Sequence, residues 1–325
     1  MITFLSLFPA VVLMFIAQLG RKSRPLSWLL YFLLVMSDLL FLLAGLALLF
    51  FPAQSPLSVP QLGTLTAQDL HYMGKVLVVT GIVALLLLLP PVQWVLARFM
   101  RIRPGDPVHT YALTLAAYAL GGTMSQVPLL QLLENLDQPL LTASELVGQA
   151  VAFVLLAFVG VGVGIQRSFK EACRRLGLVW PGRREVKVAV VATLFLVALQ
   201  MVVGALWMAL SPESLKEVDQ LSKTLLGEFF NLWGALFIGL AAGISEELVF
   251  RGALQPRFGL LITSFLFAGI HVQYAMTPAL LLIFLLGLVL GIVRNRTNTT
   301  AAILTHAAYN TLVVLLAIYA PNLTP

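Results

Sequence analysis

Residues 245–251 read Ser-Glu-Glu-Leu-Val-Phe-Arg and stand at the end of a long apolar run, where a membrane helix ordinarily carries no charge. Two other apolar stretches also contain ionisable groups: residues 267–271 read Phe-Ala-Gly-Ile-His, and residues 306–310 read His-Ala-Ala-Tyr-Asn. A buried carboxylate or imidazole is costly unless it is paired or lines a wet cavity. The three stretches therefore predict a polar site inside a bundle of apolar helices.

The composition of the chain agrees with that expectation. Its 325 residues are 60% hydrophobic and 10% charged, and the mean hydropathy is +0.96, whereas soluble domains are about 45–50% apolar and about 25% charged. We therefore predict an all-α, polytopic membrane bundle. The net charge of +6 is concentrated in short loops, so it indicates membrane topology and predicts no nucleic-acid partner.

About ten membrane spans are predicted from apolar runs of roughly 20 residues. They are residues 2–19, 27–51, 74–97, 108–130, 144–165, 188–210, 226–249, 259–273, 278–293 and 299–319. Basic and non-basic loops alternate between them, and the positive-inside rule then places both termini outside the cytoplasm. The expected location is the cell membrane, with the polar site in a cavity that opens toward the cytoplasm.

The chain divides into three predicted parts. Residues 1–165 form an N-terminal transmembrane bundle whose role the sequence does not indicate. Residues 166–187 are rich in Lys and Arg and form a connector at the membrane interface, where basic side chains meet anionic headgroups. Residues 188–325 form a C-terminal transmembrane bundle, and the polar motifs occupy residues 226–316 within it.

The spacing of the charged residues in the first stretch indicates their geometry. Glu247 and Arg251 are four residues apart, so on a helix they share one face and can pair. Glu246 is rotated by about 100° and can face a cavity as an acid or a base. With two imidazoles and one amide, the set contains the groups that activate water and hold an oxyanion during peptide hydrolysis. His271, His306 and Glu246 could equally hold a divalent metal ion.

In this order, the three motifs resemble those of the CPBP family (CAAX proteases and bacteriocin-processing enzymes, also called the ABI family), which includes the type II CAAX prenyl endopeptidases. The resemblance covers about residues 226–316. It implies an intramembrane endopeptidase whose substrate is a membrane protein or a lipidated, CAAX-type peptide. It also implies these roles: Glu246 as the base that activates water, Glu247 and Arg251 as its oriented partners, His271 as a second activating group, and His306 with Asn310 as oxyanion stabilisers.

Several alternatives stay open at the level of sequence. The family is usually classed as metalloprotease, yet a catalytic zinc ordinarily takes three protein ligands, and the chain has no His-Glu-x-x-His motif. We therefore favour a glutamate-dependent mechanism and keep zinc as the alternative cofactor. A proton-coupled or ion-coupled transporter would also place acids and histidines in the membrane, and a non-catalytic scaffold or immunity-type regulator could retain the fold. The oligomeric state is not indicated.

Overall fold

The computed structural model of the protein describes residues 2–52, 56–59, 63–133, 141–274 and 277–319. The chain is predominantly α-helical, as predicted, and one short antiparallel hairpin pairs β1 (Leu57–Val59) with β2 (Gly63–Leu65). Helices of the described residues are, in chain order, α1 (Ile2–Gly20), α2 (Arg24–Leu49), α3 (Ala67–Leu88), α4 (Pro90–Leu96), α5 (Pro107–Met124), α6 (Val127–Leu133), α7 (Ala143–Gly160), α8 (Phe169–Leu176), α9 (Arg183–Leu210), α10 (Pro212–Leu226), α11 (Leu232–Glu247), α12 (Gln255–Phe258), α13 (Leu260–Gly269), α14 (Pro278–Arg296) and α15 (Thr299–Tyr319).

Seven helices of the described residues are long and apolar enough to cross a membrane, so the predicted count of about ten is not confirmed. They are Arg24–Leu49, Ala67–Leu88, Ala143–Gly160, Arg183–Leu210, Leu232–Phe258, Pro278–Arg296 and Thr299–Tyr319. In the predicted span at 259–273, the α-helical part is the ten-residue α13, which a 3-10 helix (Val272–Tyr274) follows. Helix α13 is about 15 Å long, half the thickness of a hydrocarbon core. The predicted span at 108–130 is divided between α5 and α6.

Contacts between helices divide the chain into two compact units, each described by itself. The first unit comprises residues 1–12, 138–268 and 276–325, and the second comprises residues 13–137 and 269–275. The functional division of the chain near residues 166 and 188 stays a prediction.

Hydrogen bonds and an ion pair connect the helices of the second unit. Arg21, just after α1, donates from Nη2 to Oδ1 of Asp106 at 2.7 Å and from Nε to Oδ2 at 2.9 Å, and Asp106 also caps the start of α5. Asp38 on α2 is fully buried and accepts a hydrogen bond from Tyr118 on α5. The intramembrane carboxylate of Asp38 thus faces the interior of the bundle, where its partner lies.

Two glycines bring α11 unusually close to α15 in the first unit. A Cβ atom on Gly243 would lie 2.8 Å from the backbone nitrogen of Ala307, and one on Gly239 would lie 2.6 Å from its carbonyl oxygen. Small residues four apart are typical of close helix contacts in membranes. The approach brings the end of α11, which carries the paired glutamates, against the middle of α15, which carries His306.

Gly243→Ala is therefore expected to destabilise the first unit. The added methyl group would overlap the α15 backbone, and overpacking of this kind costs about 1–3 kcal/mol. Thermal unfolding in detergent measures the effect. Gly122→Ala on α5 is the matched control, because a Cβ atom there meets nothing within 4 Å; equal melting temperatures for both variants would contradict the close-contact interpretation.

Helix α15 is held on another side by α9. Thr193 on α9 donates a hydrogen bond from Oγ1 to the carbonyl oxygen of Thr305 at 3.2 Å. Tyr309 donates to the side chain of Gln200. These contacts lie immediately before and one turn after His306, so they fix the rotation of α15 about its axis.

Candidate active site

Glu247 lies at the centre of a buried cluster formed by the end of α11, the residues that directly follow it, α13 and α15. Its Oε1 atom is 3.0 Å from Nδ1 of His306, and its Oε2 atom is 3.2 Å from Nε of Arg251. Glu247 and Arg251 are fully buried, and His306 is only 3% exposed. The sequence predicted the Glu247–Arg251 pair from the spacing of four residues, and the structure confirms it.

The Glu247–Arg251 contact is an ion pair by distance, but its geometry is not that of an aligned hydrogen bond. The nitrogen atoms of the Arg251 side chain are buried and find no hydrogen-bond partner within the described residues. Coulomb attraction to the carboxylates and contact with an aromatic ring hold the guanidinium instead. Such an arrangement places a concentrated positive charge beside the glutamates in a region of low dielectric constant.

Phe267 of α13 forms the aromatic wall of the cluster. The Arg251 Cζ atom lies 4.9 Å from the centre of the Phe267 ring, which is a cation–π distance. The same ring meets the His306 ring edge-on at 5.8 Å and that of Phe250 at 5.3 Å. The first residue of the Phe-x-x-x-His motif therefore positions both Arg251 and His306.

Glu246 differs from Glu247 in its exposure, as the helical rotation between them predicts. Glu246 is half-buried whereas Glu247 is fully buried, and the charges of both glutamates act on Arg251. Asn310 is half-buried and lies one turn beyond His306 on α15. Glu246 and Asn310 thus lie on α11 and α15, the helices that carry Glu247 and His306. Both are more exposed than the residues at the centre of the cluster.

A π-helical segment, Leu248–Leu254, interrupts the helix that carries the glutamates, between α11 and α12. Segments of this kind occur often at functional sites, because the wider turn re-aims side chains. Two side chains bind consecutive carbonyls of the segment: Arg294 donates from Nε to Arg251 O at 3.1 Å, and Arg175 donates from Nη1 to Gly252 O at 3.0 Å. Neither the segment nor these two arginine contacts was predicted from the sequence, and no local signal would have indicated them.

His271 and the buried cluster belong to different units of the chain. It is half-buried and directly follows α13, in the segment 269–275 that belongs to the second unit. The structure thus brings Glu247, Arg251 and His306 together in the first unit, whereas the nearness of His271 to them stays a prediction.

The metal set of His271, His306 and Glu246 stays a prediction, because His271 belongs to the second unit and the other two residues belong to the first. Among the described residues, no three His, Cys, Asp or Glu side chains are grouped so that they could hold one ion. One nitrogen of His306 already contacts Glu247. Glu246 and His306, the two members in the first unit, are fewer than the three protein ligands that a zinc centre ordinarily takes, so we derive no step through a metal ion.

The fold and the cluster define the class: a polytopic helical membrane protein with a buried Glu-Arg-His cluster at the meeting of three helices. A family model described as type II CAAX prenyl endopeptidase Rce1-like matches residues 228–312. This segment carries the Rce1-like family signature and includes every predicted site residue, which confirms the resemblance to the CPBP family. No curated protein and no solved structure matches the chain. The seven apolar helices support an integral, multi-pass membrane protein, and the matched segment is similar to a family of proteases.

Proposed function

We propose that the protein is an intramembrane endopeptidase that hydrolyses a peptide bond near the end of a CAAX-type, lipid-modified substrate. The observation that carries this proposal is the pairing of the buried Glu247 with Arg251 and His306, next to the more accessible Glu246. A paired carboxylate positions its partners, and an accessible one beside it is suited to accept a proton from water. The match to the Rce1-like family supports the reaction class.

In the proposed reaction, Glu246 takes a proton from a water molecule, and the resulting hydroxide attacks the scissile carbonyl carbon. His271 assists by polarising the same water. The tetrahedral intermediate then carries a negative charge on the former carbonyl oxygen, and His306 and Asn310 donate hydrogen bonds to it. Collapse of the intermediate breaks the C–N bond, and the proton on Glu246 passes to the leaving amine.

Glu247 has a positioning role in this scheme. A carboxylate only accepts hydrogen bonds, so the Nδ1 atom of His306, 3.0 Å from Glu247 Oε1, carries a proton. The Nε2 atom is then the one available to the intermediate, and it donates when the ring is an imidazolium.

We expect cleavage to persist in the presence of a metal chelator, because the described residues provide no three-ligand metal site. The measurement is peptide hydrolysis by the reconstituted protein before and after treatment with EDTA and 1,10-phenanthroline. Loss of activity that added zinc restores would contradict the glutamate-dependent mechanism and assign the reaction to a metalloprotease.

The substrate and the location are also part of the proposal. The basic residues of 166–187 favour a cytoplasmic position for that connector, and we propose a cell-membrane protein whose site opens on the same side. The test is mass-spectrometric cleavage of matched peptides, prenylated and unprenylated, by protein in nanodiscs. Preferential cleavage of the prenylated peptide is expected; hydrolysis of neither by active preparations would contradict the proposed function.

A further inference from the structure

Two arginines from distant parts of the first unit meet beside the π segment. Arg294 belongs to α14, and Arg175 belongs to the short helix α8, outside the segment that the family model matches. They bind the consecutive carbonyl oxygens of Arg251 and Gly252. Consecutive carbonyls of one helix are close neighbours, and the positive charge of Arg294 acts unfavourably on that of Arg175, because like charges repel.

Further positive charge surrounds Arg175. Burial, the largest cause, and nearby positive charges together lower the pKa of this guanidinium to about 10. Those charges belong to Arg257, Arg167 and Arg294. We refer to these four residues, Arg167, Arg175, Arg257 and Arg294, as the arginine cluster.

The arginine cluster lacks direct neutralisation at its centre. Neither Arg175 nor Arg294 forms an ion pair with a carboxylate within the described residues; each donates to a carbonyl oxygen, and Arg294 also to the Asn295 side chain. Carbonyl oxygens do not cancel a full positive charge. A half-buried group of arginines of this kind favours an anion that can accept several N–H groups at once.

The residues around α8 indicate that membrane lipids could supply such an anion. Phe169, the first residue of α8, is 67% exposed, and Trp180 beyond its end is 94% exposed. Aromatic side chains flanked by basic residues are typical of segments that lie at the headgroup level of a membrane. Lys170 and Arg174 are exposed on α8 and add to the basic character of this surface.

We propose that the arginine cluster is a binding site for a phosphate group, supplied by an anionic phospholipid headgroup or by a soluble phosphate compound. The planar fork of arginine matches the oxygen geometry of phosphate. Arg175 and Arg294 keep their bonds to the π segment through one N–H each, and Arg294 also donates to Asn295. In the proposed site, the other N–H groups of the two side chains bind the phosphate oxygens. Because the same side chains hold the carbonyls of Arg251 and Gly252, an occupied site stabilises the segment that carries the buried ion pair.

The test measures the thermal stability of the full-length protein in neutral detergent. Phosphatidylglycerol is expected to raise the melting temperature by roughly 5 °C at a concentration about 100 times its dissociation constant, and phosphatidylcholine with the same acyl chains is expected to raise it far less. The double variant Arg175→Gln/Arg294→Gln should lose the difference between the lipids. The matched control is Lys170→Gln/Arg174→Gln, which removes two exposed positive charges from α8 and should keep it.

The outcomes separate the two sources of phosphate. A shift with phosphatidylglycerol that is lost only in the arginine-cluster variant supports a headgroup site, and an equal shift with inorganic phosphate or pyrophosphate supports a soluble ligand. The absence of any shift, or equal loss in both variants, would overturn the proposal. If the double variant does not fold, native mass spectrometry of Arg294→Gln replaces it, and retention of phosphatidylglycerol equal to that of the wild type would overturn it as well. These readouts do not depend on hydrolysis, so they stand apart from the proposed protease function.

Discussion

Glu246→Gln is expected to abolish peptide hydrolysis while the protein remains folded. The substitution keeps the size of the side chain and removes the group that accepts a proton from water. General base catalysis contributes typically about 10²–10⁴-fold to a rate, so cleavage of a substrate peptide should fall by at least that range. The measurement is the rate of product formation by mass spectrometry, with the melting temperature recorded on the same preparation.

Glu217→Gln provides the matched control for this variant. Glu217 is exposed on α10 in the same unit, so the same chemical change there should leave both the rate and the melting temperature unaltered. Hydrolysis by Glu246→Gln at the rate of this control would show that the Glu246 carboxylate isn't the base. A large drop in the melting temperature of Glu246→Gln would instead assign it a structural role.

Arg251→Met should produce the largest loss of stability. It leaves the carboxylate of Glu247 fully buried, with contact only to His306. Removal of one partner from a buried ion pair costs about 3–5 kcal/mol, because the remaining charge has no compensation. Unfolding by heat or by denaturing detergent measures the change.

The double variant Glu247→Gln/Arg251→Met separates stability from activity. With both charges removed, much of the lost stability should return, since a neutral pair of similar volume avoids the isolated charge. Cleavage should not return, because the charge that orients Glu246 and His306 remains absent. Recovery of activity together with stability would contradict the positioning role of the pair.

An exposed pair with the same spacing serves as the reference. Asp219 and Lys223 on α10 are four residues apart and 2.6 Å from one another, with side chains 54% and 57% exposed. Surface pairs contribute only about 0.2–1 kcal/mol, so Lys223→Met should change stability little. If Arg251→Met were as mild as Lys223→Met, the buried cluster would not have the electrostatic importance assigned to it.

The site was partly predictable because some of its contacts are local. Glu247 and Arg251 lie on one helical face, and that spacing alone predicted their pairing. The contact between Glu247 and His306 joins residues 59 positions apart, and the residue types predicted a shared site without predicting which glutamate meets the histidine. The close approach of α11 to α15 at Gly243 decided which glutamate meets the histidine. Only a residue without a side chain permits that approach.

By itself, the sequence determined the helical membrane fold, the positions of its polar motifs and the family to which the matched segment is related. These properties follow from hydropathy and short-range spacing, which depend only on residues that are close together in the sequence. Only the tertiary structure decided the number of helices long enough to span a membrane, the π segment at Leu248–Leu254 and the arginines that bind its carbonyls. Those features depend on where distant helices meet, because packing and charge at each contact arise from residues that the linear sequence keeps far apart.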